Sequence, residues 1–153
     1  MKHKLLQVMK EGDNSKPLSG NIQIDDVNWG GERHGGKRGR GASGKTPFVA
    51  AVQTNEKGDP VVMRMTRLDG FKKESILNWA QKHVTAGSHF VSDGLFCFKA
   101  VGTAGSYHEA IVTGGGPECV LIEVFTWVNT MMGNVKNEMH GSYHSIGANH
   151  LPR

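Results

Sequence analysis

The order in which apolar patterns follow one another along the chain is the feature that most limits its fold. Three segments have the alternating or continuous apolar pattern of strands, at Asn21–Asn28, Pro47–Gln53 and Pro60–Arg67. The pattern then changes to helical spacing and begins to alternate. The later predicted elements are a helix over Lys72–Val84, a strand over Ser88–Ser92, a short helix over Leu95–Val101, a strand over Tyr107–Thr113 and a helix from Glu123 to about Met139, closed by Gly141.

The order βββαβαβα is that of a ribonuclease-H-like α/β fold, a mixed five-stranded sheet with flanking helices, although other α/β folds fit the same order. With 153 residues the chain suits one domain, which we place at residues 17–153, after the tail of a helical segment at 1–16. No apolar run reaches the roughly 20 residues of a membrane-spanning helix, and the first residues do not form a signal peptide. Two cysteines, Cys97 and Cys119, are too few for a disulfide framework, so we expect both to be buried and the protein to be cytoplasmic.

A glycine-rich basic segment separates the first two predicted strands. The net charge of the chain is only +4, but here one acid, Glu32, accompanies five cations, Arg33, Lys37, Arg38, Arg40 and Lys45. Such a loop is suited to binding a polyanion such as the DNA backbone. The same composition is also compatible with a solvated surface loop that binds nothing. The segment Gly39–Thr46 also fits the P-loop pattern. We reject that interpretation because a charged glycine run precedes it and a strand pattern follows it, where phosphate binding needs a strand and then a helix.

Two aspartates lie where neighbouring strands can bring them together. Asp25 is within the first strand and Asp93 ends the fourth, and these two strands are adjacent in the predicted topology. Two carboxylates at one point repel unless a cation such as Mg²⁺ lies between them. Taken singly, each aspartate also suits a turn or a helix cap. Because Asp26 is the next residue of an alternating strand, we expect it to point to the opposite face and assign it a supporting role.

The last predicted helix carries polar residues at helical spacing. Asn129, Gly133 and Lys136 share one face, and an asparagine oxygen can bind a metal while a lysine can neutralise a phosphate. The same residues are compatible with the polar side of an amphipathic helix. His140 and His144 are also at helical spacing, but the predicted helix break between them makes surface polarity a better interpretation than a zinc site.

Several motifs carry a family resemblance when taken in order. They are Ile22–Asp26, Gly30–Gly41, Pro47–Val52, Val91–Phe98 and Trp127–Lys136, with Gly141–His144 after them. Together they resemble the catalytic domain of a bacterial insertion-sequence transposase of the DDE superfamily. The branch is the ISXO2-like one, in which asparagine replaces the third acid and a lysine follows. The motifs span almost the whole chain, and the spacing from Asp93 to Asn129 agrees with that branch.

The resemblance implies a ribonuclease-H-like domain that cleaves and transfers DNA strands at insertion-sequence ends. Asp25, Asp93 and Asn129 would hold Mg²⁺ or Mn²⁺, as two ions, and Lys136 would complete the catalytic set. The basic loop and His144 would contact DNA. The implied partners are transposon ends, target DNA and further copies of the chain in a synaptic complex, in the nucleoid of the cytoplasm and away from membranes.

Two departures from the family pattern leave alternatives open. Such transposases usually carry an N-terminal zinc-binding region, and the paired CxxC spacing of that region is absent from this sequence. The family pattern also continues where this chain stops, so we expect a domain truncated at both ends. The alternatives are an inactive remnant that binds DNA without cutting it, and a structure-specific nuclease of the same fold.

Overall fold

The computed structural model describes residues 16–30, 45–112 and 123–142, and these contain a five-stranded sheet with flanking helices. The strands are β1 (Asn21–Trp29), β2 (Thr46–Thr54), β3 (Pro60–Arg67), β4 (His89–Ser92) and β5 (Tyr107–Ala110). The helices are α1 (Lys73–His83), α2 (Ala100–Thr103) and α3 (Thr126–Ser142). Short 3₁₀ turns, Phe96–Lys99 and Glu123–Phe125, precede α2 and α3. The helical segment predicted for residues 1–16 falls almost wholly outside the described residues.

The strand order is β3-β2-β1-β4-β5. β1, β2 and β3 pair antiparallel, whereas β4 joins β1 in parallel and β5 joins β4 in parallel. A tight turn connects β2 to β3, in which the Asn55 side-chain oxygen accepts hydrogen bonds from the backbone N–H groups of Lys57 and Asp59 at 3.0 and 2.8 Å. This topology confirms the predicted ribonuclease-H-like fold and makes β1 and β4 neighbours.

Each face of the sheet is covered by its own core. β2 is apolar on both sides because helices cover both. The first core lies on the α1 and α2 face and consists of Leu18, Ile22, Ile24, Val49, Ala51, Leu68, Ile76, Trp79, Ala80, Phe90, Cys97, Phe98, Ala100 and Val101. The second core lies under α3 and consists of Val27, Phe48, Ala50, Val52, Phe125, Val128, Met131 and Met132. Period-two alternation along β1 and β2 divides the side chains between them.

Most predicted element ends lie within one or two residues of those in the structure, and the ends of β5 and of the last helix are informative. β5 ends at Ala110 rather than Thr113, because its partner β4 is only four residues long and ends at Ser92. The prediction that Gly141 closes the last helix is wrong, since α3 continues to Ser142. An interior glycine weakens a helix by only about 1 kcal/mol relative to alanine, so it need not end one.

Two further predictions concern cysteine burial and membrane crossing. Cys97 is buried as predicted, while Cys119 lies outside the described residues. Among the residues that the structure describes, no helix has the length and apolar character to cross a membrane.

Candidate active site

The short parallel ladder between β1 and β4 brings two predicted site residues together. It pairs Asn21 with His89 and ends where Gln23 pairs with Val91. Extending that register by two residues aligns Asp25 with Asp93. Carboxylate oxygens of Asp25, Asp26 and Asp93 all lie within 4.8 Å of one another. We call these three residues the acidic cluster.

The expectation that Asp26 points away from the site is wrong, because its carboxylate belongs to the acidic cluster. The strand still alternates, since Ile24 lies in the first core and Val27 in the second. However, the Asp25 carboxylate folds back along its own strand and accepts a hydrogen bond from the Asp26 N–H at 2.8 Å. On the edge of β1 that pairs with β4, no described strand pairs with the residues after Gln23. Both carboxylates can therefore reach the space beside Asp93.

A tight bend after β4 orients Asp93. Its Oδ1 accepts a hydrogen bond from the Leu95 N–H at 3.1 Å, and the buried Ser92 hydroxyl accepts one from the Gly94 N–H at 3.2 Å. Gly94 has a φ of +89°, and a Cβ there would lie 3.1 Å from a methyl group of Val112. The positive φ favours glycine at this position, while the contact with the exposed Val112 side chain could be relieved by a small movement of that side chain.

His108 supports this bend from β5. Its Nε2 lies 2.8 Å from the Ser92 hydroxyl oxygen. Burial lowers the pKa of His108, and the positive charges of Lys99 and His89 lower it further. A lowered pKa favours the neutral imidazole, whose unprotonated Nε2 can accept a hydrogen bond from the Ser92 hydroxyl. The Ser92 oxygen then remains an acceptor for the Gly94 N–H.

A buried glutamine links β1 to the beginning of α3. The Gln23 side-chain oxygen accepts hydrogen bonds from the backbone N–H groups of Trp127 and Val128, both at 3.1 Å. These N–H groups lie in the first turn of the helix, where intrahelical acceptors are lacking. The Trp127 indole N–H donates to the Gly58 carbonyl at 2.7 Å and adds a second attachment. Neither residue was assigned a role from the sequence, because Gln23 is one of five polar residues in β1 and the strand pattern does not single it out.

An open groove of about 310 Å³ runs between β1 and α3. Its lining residues are Asp25, Asp26, Val27 and Asn28 from the strand and Asn129, Met132, Gly133 and Lys136 from the helix. The three helix residues predicted to share a face, Asn129, Gly133 and Lys136, thus line the same groove as Asp25 and Asp26 of the acidic cluster. A Cβ added to Gly133 would meet no atom within 4 Å. The groove is therefore open above the helix.

The predicted DNA-binding residues are described only in part. Arg33, Lys37, Arg38, Arg40 and His144 lie outside the described residues. Lys45 is exposed, immediately before β2. The last pair of the β1–β2 ladder is Trp29 with Thr46. Gly30 follows Trp29 and Lys45 precedes Thr46, so these two residues are the ends of the basic loop. The loop therefore joins the sheet at the C-terminal end of β1, beyond Asp25 and Asp26. A strand follows the P-loop-like segment, as predicted.

The donor set of the site fits a divalent cation. Three half-buried carboxyl groups have oxygens within 4.8 Å of one another, and like charges so close repel. A hard cation relieves that repulsion, and carboxylate and amide oxygens are the ligands that Mg²⁺ prefers. Across the groove, Asn129 offers an amide oxygen and Lys136 a positive charge. This arrangement suits binding of a phosphate group between the strand and the helix.

Comparisons with known proteins give a family match and similar solved structures, one of which is described below. The family model of the ISXO2-like transposase domain matches residues 17–153. The crystal structure of the catalytic core domain of BIV integrase is similar to the chain with a TM-score of 0.47 and 15% sequence identity. That similarity covers 85% of this chain and 77% of the integrase chain. No curated protein sequence gives a significant match.

Proposed function

Because the chain belongs to the ISXO2-like transposase domain family, we propose that it is a transposase catalytic domain that cleaves and joins DNA strands at insertion-sequence ends. The family match covers residues 17–153 and confirms the resemblance in the motifs. The observation that carries the proposed chemistry is the convergence of Asp25, Asp26 and Asp93 beside the groove. We assign the catalytic domain to the same residues, 17–153.

In this proposal Asp25, Asp93 and Asn129 hold the metal ions, and Asp26 contributes a third carboxylate. Divalent cations at such a site supply activation of an oxygen nucleophile and stabilisation of the leaving oxygen in phosphoryl transfer. The chain orients these ligands through the bend after β4 and the Gln23 attachment of α3. Lys136, at the helix side of the groove, pairs with a phosphate oxygen of the DNA strand.

Strand cleavage and strand transfer follow from the same arrangement. Water attacks the phosphate at the element's end and breaks its bond to the 3′-oxygen, which leaves as a 3′-hydroxyl while the water oxygen stays on the 5′-phosphate. The 3′-hydroxyl then attacks a phosphate of the target DNA, forms a new phosphodiester and displaces the 3′-hydroxyl of the cut target strand. The basic loop, with Arg33, Lys37, Arg38, Arg40 and Lys45, lies along the DNA backbone and contributes contacts without sequence information. His144 contacts DNA in the same way. Joining two ends requires two active sites, so the working form is a homo-oligomer, which acts on DNA in the nucleoid.

Calorimetric titration of the purified chain with Mn²⁺ tests the metal site, since Mn²⁺ also accepts oxygen ligands. We expect binding that weakens more than tenfold in Asp25→Asn and in Asp93→Asn. Glu56→Gln, which changes an exposed acid in the β2–β3 turn, should bind as the unmodified chain does. Thermal melting of each variant establishes that it is folded. Mn²⁺ binding that neither aspartate substitution disturbs would overturn the site assignment.

Incubation with Mn²⁺ and a duplex that carries the element's terminal sequence tests the reaction. We expect nicked DNA and products joined to a target duplex, and neither with Asp25→Asn. A structure-specific nuclease would cleave duplexes without that sequence and produce no joined strands. An inactive remnant would bind the duplex and leave it intact. Either result would replace the transposase assignment.

A further inference from the structure

An exposed aromatic ring, three residues after Asp93, has two lysine ammonium groups over it. Phe96, in the 3₁₀ turn that follows Asp93, is 62% exposed. The Nζ of Lys73, the first residue of α1, lies 4.1 Å from the centroid of the ring. The Nζ of Lys99 lies 5.5 Å from the same centroid. We call Lys73, Phe96 and Lys99 the aromatic–lysine patch.

Each residue of the aromatic–lysine patch is in a position that contributes little to the stability of the fold. A phenylalanine that is mostly exposed contributes little apolar burial. Lys73 follows another lysine, Lys72, at the positive end of the α1 dipole, where acids are favoured and Glu74 is the acid of the first turn. Lys99 adds a like charge near the same ring. Local conflicts of this kind are typical of binding surfaces.

The patch lies within a few nucleotides of the acidic cluster. The Asp93 carboxylate accepts the Leu95 N–H at 3.1 Å, and the Leu95 carbonyl accepts the Phe98 N–H at 3.0 Å. These bonds hold the segment between the acid and the ring in one conformation. Three residues span at most about 11 Å, which corresponds to roughly three nucleotides at about 3.4 Å per nucleotide of a strand.

We propose that the aromatic–lysine patch binds an unpaired nucleotide beside the strand that is cleaved at the acidic cluster. The base takes the place of the Lys73 ammonium on the face of Phe96, and the ammonium groups of Lys73 and Lys99 move to the phosphates on either side of the nucleotide. This inference rests on the proposed function. An aromatic face accepts any base and a lysine any phosphate, so the contact is independent of sequence. It requires an unpaired nucleotide, because neighbouring bases cover both faces of a base within a duplex.

Fluorescence anisotropy in metal-free buffer tests the aromatic part of the patch without cleavage. The probes are a labelled blunt duplex and the same duplex with a single-stranded tail. We expect Phe96→Leu, which keeps apolar bulk, to weaken binding of the tailed duplex about tenfold, within the range for loss of one stacked base. Phe96→Trp should retain binding. Tyr107→Leu is the matched control, since Tyr107 is 72% exposed at the opposite end of the parallel strands.

The dependence of binding on salt tests the lysine part. Each phosphate contact to a single strand contributes about 0.7 to the slope of log K against log salt. The double variant Lys73→Ala/Lys99→Ala should therefore lower the slope for the tailed duplex by about 1.4. Phe96→Leu should leave the slope unchanged. Lys82→Ala, in the last turn of α1, is the matched control and should also leave it unchanged.

The outcomes separate this inference from the proposed function. Equal losses with Phe96→Leu and Tyr107→Leu, or equal losses on tailed and blunt duplexes, would overturn the nucleotide site. If Phe96→Leu binds both probes normally while Asp25→Asn loses Mn²⁺, the patch is overturned and the metal site stands. If Phe96→Leu selectively loses the tailed duplex in a chain that binds no Mn²⁺, the nucleotide site stands and the proposed reaction falls.

Discussion

The two faces of the sheet are packed differently. Within the described residues, the α1 and α2 face buries fourteen residues in one core, in which Trp79 meets Phe90 edge to face with ring centroids 6.3 Å apart. The α3 face buries eight, among them the adjacent methionines Met131 and Met132, and its packing stops at the groove. Methionine is a flexible side chain that tolerates irregular packing. We therefore expect the first face to supply most of the stability of the described residues, while the second leaves part of its area open at the groove.

Truncating the first core should have the largest effect on stability. Phe98 is fully buried, so we expect Phe98→Ala to lower the free energy of unfolding by about 3–5 kcal/mol. Met132→Ala should lower it by only about 2 kcal/mol, at the low end for such substitutions, because Met132 borders the open groove. Urea unfolding followed by circular dichroism measures both. Equal losses would show that the two faces contribute alike. If Phe98→Ala does not fold, Phe98→Leu makes the same comparison with a smaller loss.

The attachment of α3 to β1 should matter both for stability and for the site. Gln23→Ala removes the acceptor of two backbone N–H groups at a buried position, so we expect a loss of about 1–3 kcal/mol. It should also weaken Mn²⁺ binding, because α3 carries Asn129. Gln53→Ala is the matched control, since Gln53 accepts one N–H, that of Ser19, at 2.9 Å. It should cost about 1 kcal/mol and leave Mn²⁺ affinity unchanged. Unchanged affinity with Gln23→Ala would show that the attachment is only structural.

The smallest expected effect is a gain in stability on the open face. Gly133→Ala should raise the free energy of unfolding by up to about 1 kcal/mol, because alanine favours the helix and its Cβ would meet no atom within 4 Å. Gly102→Ala in α2 is the matched control, with equally open space around it. Both variants should melt at higher temperature. A loss with Gly133→Ala alone would indicate that the groove is narrower than the structure shows.

The sequence predicted most of the fold because its local signals were strong. Period-two patterns placed β1, β2 and β3 within one or two residues of their ends, and the turn at Asn55 has a side chain that bonds to the backbone. The length of β5 depends on where β4 ends, which a local pattern does not report. Gly141 has a strong local preference against helix, yet the helix continues through it.

The candidate site was predicted less completely than the fold. The convergence of Asp25 and Asp93 follows from strand order, so topology was enough to predict it. The position of Asp26 depends on how the neighbouring carboxylate folds back on its own strand and on the absence of a paired strand beyond Gln23 in the described sheet. The role of Gln23 depends on where α3 docks. The position of Asp26 and the role of Gln23 both result from tertiary packing, which cannot be predicted from the alternation of residues along one strand.

The parallel pairing of β1 with β4 has a consequence for the order of events during synthesis. Asp25 and Asp26 leave the ribosome early, but Asp93 follows only after the hairpin and α1, and Asn129 later still. Pairing between such distant segments is slow to form, because a long stretch of chain must be closed first. A chain still being synthesised therefore contains Asp25 and Asp26 but lacks Asp93 and helix α3. The proposed metal site is thus incomplete until nearly the whole domain has been made and folded.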